Sequence, residues 1–261
     1  MHYLLDSHCH LDFPVFDQDR QEVIKRAKSV GVEYFVVPGV SADTWQRLEK
    51  FHQDFEANSC VGFGLHPYFT HQHRQKHLGN LEKKLKQTCA KFVGEIGLDF
   101  FDKTWPKQEQ LNFFSEQVAI AKSLRLPVIL HIRKAFDEVL AVLSEHAFTE
   151  GGIVHAFNGS QQQAKKLIAR GFVLGFGGML THPQSRKLRE KAKFLSLSDI
   201  VLETDSPDMA TYHNRGKRNE PYFIQEVAAT LSQLKDVELD EIAHITTSTS
   251  IKVLRLKTGE I

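Results

Sequence analysis

The stretch DSHCHLDF, residues 6–13, sets two histidines one residue apart at the end of the first apolar run of the chain. With 14 histidines in 261 residues, a few H-x-H pairs arise by chance, so position has to supply the meaning. On an extended chain, side chains at i and i+2 share a face with their Cα atoms about 6–7 Å apart. Two imidazoles so spaced can lean onto one cation at about 2.0–2.1 Å. His8 and His10 therefore read as half of a metal site. Cys9 lies between them, points the other way, and reads as a packed apolar residue. The further candidates share one attribute, which is that each ends a strand-like run: Glu95 in GEIGLD, His131 in LHIR, His155 in HAFNGS and Asp205 in ETDSP. His71-x-His73 is formally the same motif, but it falls in a polar segment where the spacing carries no strand geometry. Most histidines outside the strand ends, among them His71, His73 and His77, are expected to be solvated.

Those residues need a scaffold that gathers strand ends on one rim. Short β-branched or aromatic runs alternate with amphipathic stretches along the whole chain. The strand-like runs are Tyr3–His8, Tyr34–Pro38, Cys60–His66, Phe92–Leu98, Val128–Ile132, Ile153–Phe157, Phe172–Phe176 and Ile200–Thr204. The helical stretches are Arg20–Val30, Ala42–Phe55, Leu78–Ala90, Gln108–Leu124, Ala135–Ser144, Gln161–Arg170, Gln184–Lys193, Pro221–Leu234 and Leu239–Leu256. Leu111, Phe114, Val118, Ala121 and Leu124 recur at steps of three and four, one face of a helix. Leu126-Pro127 then stops it, and VILHI follows as an apolar strand buried on both faces. Eight such units with no linker and no repeat point to an α/β fold, a single-domain (β/α)8 TIM barrel over residues 1–261. A doubly wound open sheet uses the same local pattern and stays the alternative. Thr70–Gly79 and His213–Asn219 read as loops.

In a parallel barrel the C-terminal strand ends share the rim where active sites are built. Asp6 and Glu203 lie one step below His8–His10 and Asp205 on the same face. A carboxylate there must find partners, either as an orienter of a metal-bound imidazole or in a structural ion pair. Arg133 shares a face with His131, and a guanidinium beside cations calls for an anion between them. A phosphate group fits that need and the forked geometry of arginine.

Composition narrows the classes. With 33 basic residues against 32 acidic ones, no global basic field draws the chain to nucleic acid, so phosphate recognition must be local. Cys9, Cys60 and Cys89 form no CxxC, which argues against a disulfide framework and for a reducing compartment. No basic n-region precedes a long apolar stretch, and no apolar run approaches the ~20 residues of a membrane span. The expectation is a cytoplasmic protein with no membrane contact and no obligate protein partner. Gly175-Phe176-Gly177-Gly178 could let backbone approach a phosphate, but it lacks the dinucleotide fingerprint.

DSHCHLDF, GLHP, VGEIGLDF, HIRKA, HAFNGS and LETDSP, in this order and spacing, resemble the TatD-like metal-dependent hydrolases (YjjV-like subgroup) across essentially the whole chain. That resemblance implies a TIM barrel related to the amidohydrolases and phosphotriesterases, and two divalent cations per subunit. His8, His10 and Asp205 would bind one cation, His131 and His155 the second, and Glu95 both. It also implies phosphodiester hydrolysis, with DNA or an oligonucleotide as substrate, in the manner of a 3′–5′ exonuclease. HAFNGS replaces the HCFSG of many relatives, and Thr249 stands where many carry asparagine. Zn, Mn, Mg, Co and Ni all stay open, although imidazole-rich sets favour the later metals over Mg.

On this reading a metal-bridging hydroxide attacks phosphorus, Asp205 takes or steers its proton, and His66 and Arg133 hold non-bridging oxygens. Arg215, Lys217 and Arg218 would follow the strand along the mouth, with Tyr68, Phe69, Phe100, Phe101 and Trp105 available for stacking or covering the rim. A metal-dependent hydrolase of a small phosphoester, lactone or amide is the rival enzyme reading. A non-enzymatic, metal-stabilised nucleic-acid-binding barrel is the third.

Overall fold

The computed structural model describes residues 3–257. The expected barrel over 1–261 and the reading of the leader at Met1 and His2 extend outside them. The chain runs β1 (Leu4–Asp6), α1 (Arg20–Ser29), β2 (Val32–Pro38), α2 (Trp45–Asp54), β3 (Ser59–Phe63), α3 (Gln75–Gln87), β4 (Phe92–Asp99), α4 (Lys107–Leu124), β5 (Val128–Arg133), α5 (Phe136–Glu145), β6 (Gly152–Val154), α6 (Gln161–Ile168), β7 (Phe172–Phe176), α7 (Arg186–Phe194), β8 (Ile200–Leu202), α8 (Ile224–Lys235) and α9 (Leu239–Val253). The strands form one sheet in strictly sequential order, β1 to β8. A doubly wound sheet reverses its order partway, so the sequential order selects the (β/α)8 barrel.

The chain packs as two compact units, one holding residues up to 37, 55–60 and 174 onwards, the other 38–54 and 61–173. In the second unit β4 pairs in parallel with β5, Gly97 opposite His131 and Asp99 opposite Arg133. Val93, Ile96, Leu98, Val128, Ile129 and Leu130 are completely buried, each contributing about 1.5–3 kcal/mol by leaving water. Phe114, Val118 and Ala121 of α4 are buried as their spacing predicts. In the first unit β1 pairs with β2 and β7 with β8. The Ser7 amide bonds to the Leu202 carbonyl at 3.0 Å, tying the tip of β1 to β8.

Two expectations need correction. Thr70–Gly79 is not a loop: a 3-10 helix over Pro67–Gln72 leads almost directly into α3. The helix read from Leu78 starts three residues earlier, at Gln75, and its polar first turn hid that start; the apolar stripe is Leu78, Leu81 and Leu85 with a buried His77. Nor is His73 solvated. It is 4% exposed, and burial pushes its pKa down to about 4 against the pull of the His66 carbonyl, to which its Nε2–H donates at 2.9 Å.

Candidate metal centre

The first unit assembles His8, His10 and Asp205. Strand β1 ends at Asp6, so the two histidines lie beyond the ladder, and strand alternation alone does not align them. Single backbone bonds do that work. Cys9 donates to Val36, His10 to Ser206, and the Asp205 amide to the His8 carbonyl at 2.9 Å. Asp205 itself takes φ +58°, a left-handed conformation in which aspartate is enriched, and this folds the chain back after β8. The result sets His8 Nε2 3.3 Å from His10 Nε2, with each nitrogen 3.6 Å from Asp205 Oδ1. A tetrahedral ion with bonds of about 2.0–2.1 Å separates its ligand atoms by about 3.3–3.4 Å. The three atoms match that spacing, and two nitrogens and a carboxylate oxygen suit a divalent transition ion. His10 stacks on Phe13, ring centroids 4.6 Å apart.

Asp6 does not orient an imidazole through its carboxylate. It accepts from the His8 amide at 3.3 Å, from the Thr204 amide at 3.0 Å and from the Thr204 hydroxyl at 2.6 Å, and so fastens the backbones that carry His8 and Asp205. Burial pushes its pKa up to about 8 despite those donors. The other carboxylate below the rim, Glu203, explains a glycine: a Cβ at Gly175 would stand 2.2 Å from Glu203 Oε2. That glycine makes room for a carboxylate of its own chain, and Gly178 for the Met209 carbonyl, which corrects the phosphate reading of that segment.

The second unit assembles His66, Glu95 and His131, whose ligand atoms lie within 4.8 Å of one another. His66 Nε2 stands 3.2 Å from Glu95 Oε1, and His131 Nδ1 stands 3.1 Å from the same oxygen. The Tyr68 amide donates to His66 Nδ1 at 3.0 Å. A neutral imidazole whose Nδ1 accepts must carry its proton on Nε2, and burial lowers the pKa of His66 against the pull of Glu95. Thus His66 presents an N–H donor rather than a lone pair, which suits a contact to substrate and not a ligand. The His155 ring lies near-parallel to that of His131, centroids 6.4 Å apart, on a backbone whose amide bonds to Leu130.

Sequence reasoning missed what holds these tips. Gln110 and Gln117, two turns apart on α4 and both buried, each clasp a strand end with a paired amide. Gln117 accepts from the Leu65 amide and donates to its carbonyl, at 2.7 and 3.1 Å. Gln110 does the same to Asp99, at 2.8 and 2.9 Å. Their seven-residue spacing on one helix face was the available signal. Asp99 was missed as well: its Oδ2 lies 3.2 Å from His131 Nε2. Burial opposes the charged form of His131, but its two carboxylate partners raise its pKa.

Arg133 lies beside this carboxylate, 3.9 Å from Asp99 Oδ2, with its guanidinium 3.7 Å above the Phe101 ring. Asp99 thus supplies one anion beside the guanidinium, which stays half-exposed. Tyr68 packs edge-to-face on Trp105 at 4.9 Å and on Phe69 at 5.1 Å, while Tyr68 and Phe101 are more than half exposed. Phe100, in contrast, is buried. The basic loop is only partly available. Arg218 is engaged by Asp19 at 2.5 Å and Glu220 at 2.9 Å and stacks on Phe16, whereas Arg215 and Lys217 are exposed. Cys9 is fully buried, as read from the sequence, and Thr249 is buried in α9.

A (β/α)8 fold with imidazole–carboxylate clusters at the C-terminal ends of its strands is the architecture of a metal-dependent hydrolase, and the family and relatives it matches place the chain in that class. The chain belongs to the TatD related DNase family, which its sequence matches over residues 5–255. It is 36% identical over 242 residues to the uncharacterised metal-dependent hydrolase YjjV of Escherichia coli K12, spanning 92% of this chain and 93% of that protein. It is 34% identical over 254 residues to the metal-dependent hydrolase YabD of Bacillus subtilis, spanning 97% and 99%. The crystal structure of YjjV aligns with a TM-score of 0.92 at 33% identity, over 97% of this chain and 98% of that one. Among the described residues, no helix is long and apolar enough to cross a membrane.

Proposed function

We propose that this protein hydrolyses phosphodiester bonds in DNA or oligonucleotides with two divalent cations, acting as a 3′–5′ exonuclease. The observation that carries the reading is the near-tetrahedral triangle of His8, His10 and Asp205, 3.3–3.6 Å on a side, close to the separation of ligand atoms around one tetrahedral cation. These three would hold one cation, His131 and His155 the second, and Glu95 would reach both. Bound cations supply charge neutralisation at the phosphate and acidify water.

The protein groups do the rest. Asp205 is within reach of both histidines and partly open to solvent, and it accepts or steers the proton of the attacking water. His66, whose Nε2–H rests on Glu95 Oε1, would turn that N–H to a non-bridging oxygen once cations engage Glu95, and Arg133 offers its exposed guanidinium to a phosphate. Exposed Tyr68 and Phe101 favour a nucleic-acid substrate, since bases stack on such rings whatever their sequence.

The test is turnover of bis-p-nitrophenyl phosphate and of a single-stranded oligonucleotide after reconstitution with Mn, Zn or Mg, beside a panel of lactones, amides and phosphomonoesters. Oligonucleotide cleavage that is lost in His8→Ala/His10→Ala supports the reading. Turnover confined to a small ester or amide overturns the DNA assignment. Near-wild-type activity in Asp205→Asn with metals bound removes Asp205 as proton acceptor.

A further inference from the structure

We propose that Asp99 is a positioning residue that holds His131 as its Nε2–H tautomer and thereby turns the Nδ1 lone pair towards Glu95, a role that rests on the two-cation reading above. On β4, Glu95, Gly97 and Asp99 occupy alternate positions, and Gly97 stands directly opposite His131 on β5. The imidazole therefore lies between two carboxylates of one strand, with Nδ1 3.1 Å from Glu95 Oε1 and Nε2 3.2 Å from Asp99 Oδ2. Only one nitrogen of a neutral imidazole carries a proton, and a metal ligand must present the other as a lone pair. The two carboxylates compete for that proton.

Asp99 is built to win. Its second oxygen accepts the Phe101 amide at 2.9 Å, and its backbone is clasped at both ends by Gln110, so the carboxylate is held against the ring and is 2% exposed. Glu95, for its part, already receives the Nε2–H of His66 on the same oxygen that faces His131. The Nδ1 side of His131 is thus the side left to a cation. A carboxylate behind a ligating imidazole also raises its basicity, and removing such a partner costs about 10–100-fold in metal affinity. Asp99 further lies between His131 and the Arg133 guanidinium, which compensates that positive charge beside the centre.

The test uses the full chain in two arms. In metal-free protein with 15N-labelled histidine at pH 8, wild type shows His131 as the Nε2–H tautomer. Asp99→Ala converts it to a mixture, and Asp99→Asn, which keeps an acceptor oxygen in place, restores it. In chelator competition with Zn2+, Asp99→Ala weakens one of two bound ions about 10–100-fold and leaves the other unchanged, while Asp99→Asn loses less. Should Asp99→Ala fail to fold, Asp99→Ser serves, since it keeps a short acceptor for the Phe101 amide but falls short of the ring. An unchanged tautomer in Asp99→Ala (or in Asp99→Ser where that variant serves), or wild-type affinity for both ions in it, overturns the role of Asp99. Wild-type protein that binds no ion overturns the two-cation reading instead, and the tautomer arm still decides whether Asp99 sets the His131 proton.

Discussion

Replacing Gly97 by alanine should unhinge the second cluster without touching a single candidate ligand. Gly97 has φ +144°, and a Cβ added there would sit 1.9 Å from the His131 carbonyl oxygen, 2.9 Å from its carbon and 3.0 Å from its nitrogen. All three atoms are backbone, so no side chain can swing aside. Holding alanine at that φ costs about 1–3 kcal/mol, and overpacking a close contact costs about 1–3 kcal/mol more. The sum, about 2–6 kcal/mol, is a large part of the ~5–15 kcal/mol that keeps a typical domain folded. In urea, with a slope of about 3 kcal/mol/M for a chain of this size, the midpoint should fall by about 1 M. Relief requires β4 and β5 to part at the Gly97–His131 pair, which carries His131 away from Glu95 and Asp99, so metal binding should weaken along with stability. Gly79→Ala is the control. That glycine sits on the exposed face of α3 with nothing within 4 Å of the added carbon, and alanine there should stabilise by about 0.5–1 kcal/mol. A Gly97→Ala midpoint within 0.3 M of wild type (about 1 kcal/mol) together with unchanged metal affinity would refute the close-approach argument.

The buried His73 should make stability depend on acid. The unfolded chain takes up that proton below about pH 6.5, whereas the folded state resists it down to about 4, so stability is lost as pH falls through that window, by about 2 kcal/mol after local relaxation. Urea midpoints at pH 7 and pH 4.5 measure the loss, and His73→Gln, which keeps a donor for the His66 carbonyl, should flatten it; an equally steep profile in that variant assigns the acid sensitivity elsewhere. On the substrate side, Tyr68→Ala and Phe101→Ala should each raise KM for an oligonucleotide roughly 5–100-fold, the worth of one stacked base, with kcat within about threefold on the same estimate. An unchanged KM would confine these rings to covering the rim.

Local chemistry is what the sequence determined by itself. Apolar steps of three and four in Leu111–Leu124 require a helix, and the continuous apolar run of VILHI requires a strand buried on both faces. Histidines and acids just past such runs can only be rim residues once eight units alternate. Tertiary structure alone decided which atom each of those residues presents. His66 and His131 both end strand runs, yet only the packed structure sets the Tyr68 amide on Nδ1 of the first and the Asp99 carboxylate against Nε2 of the second. His73 and His71 belong to one polar segment, and only the fold buries the first. Arg218 and Arg215 share a basic loop, but the acids of Asp19 and Glu220 claim Arg218. In each case the deciding partner is an amide, a backbone carbonyl or a carboxylate within about 3 Å, the reach of a hydrogen bond. Such distances come from the packing of segments far apart or folded back on themselves. Residue type and spacing set what a side chain is able to do, and the packed neighbours select which of those abilities it exercises.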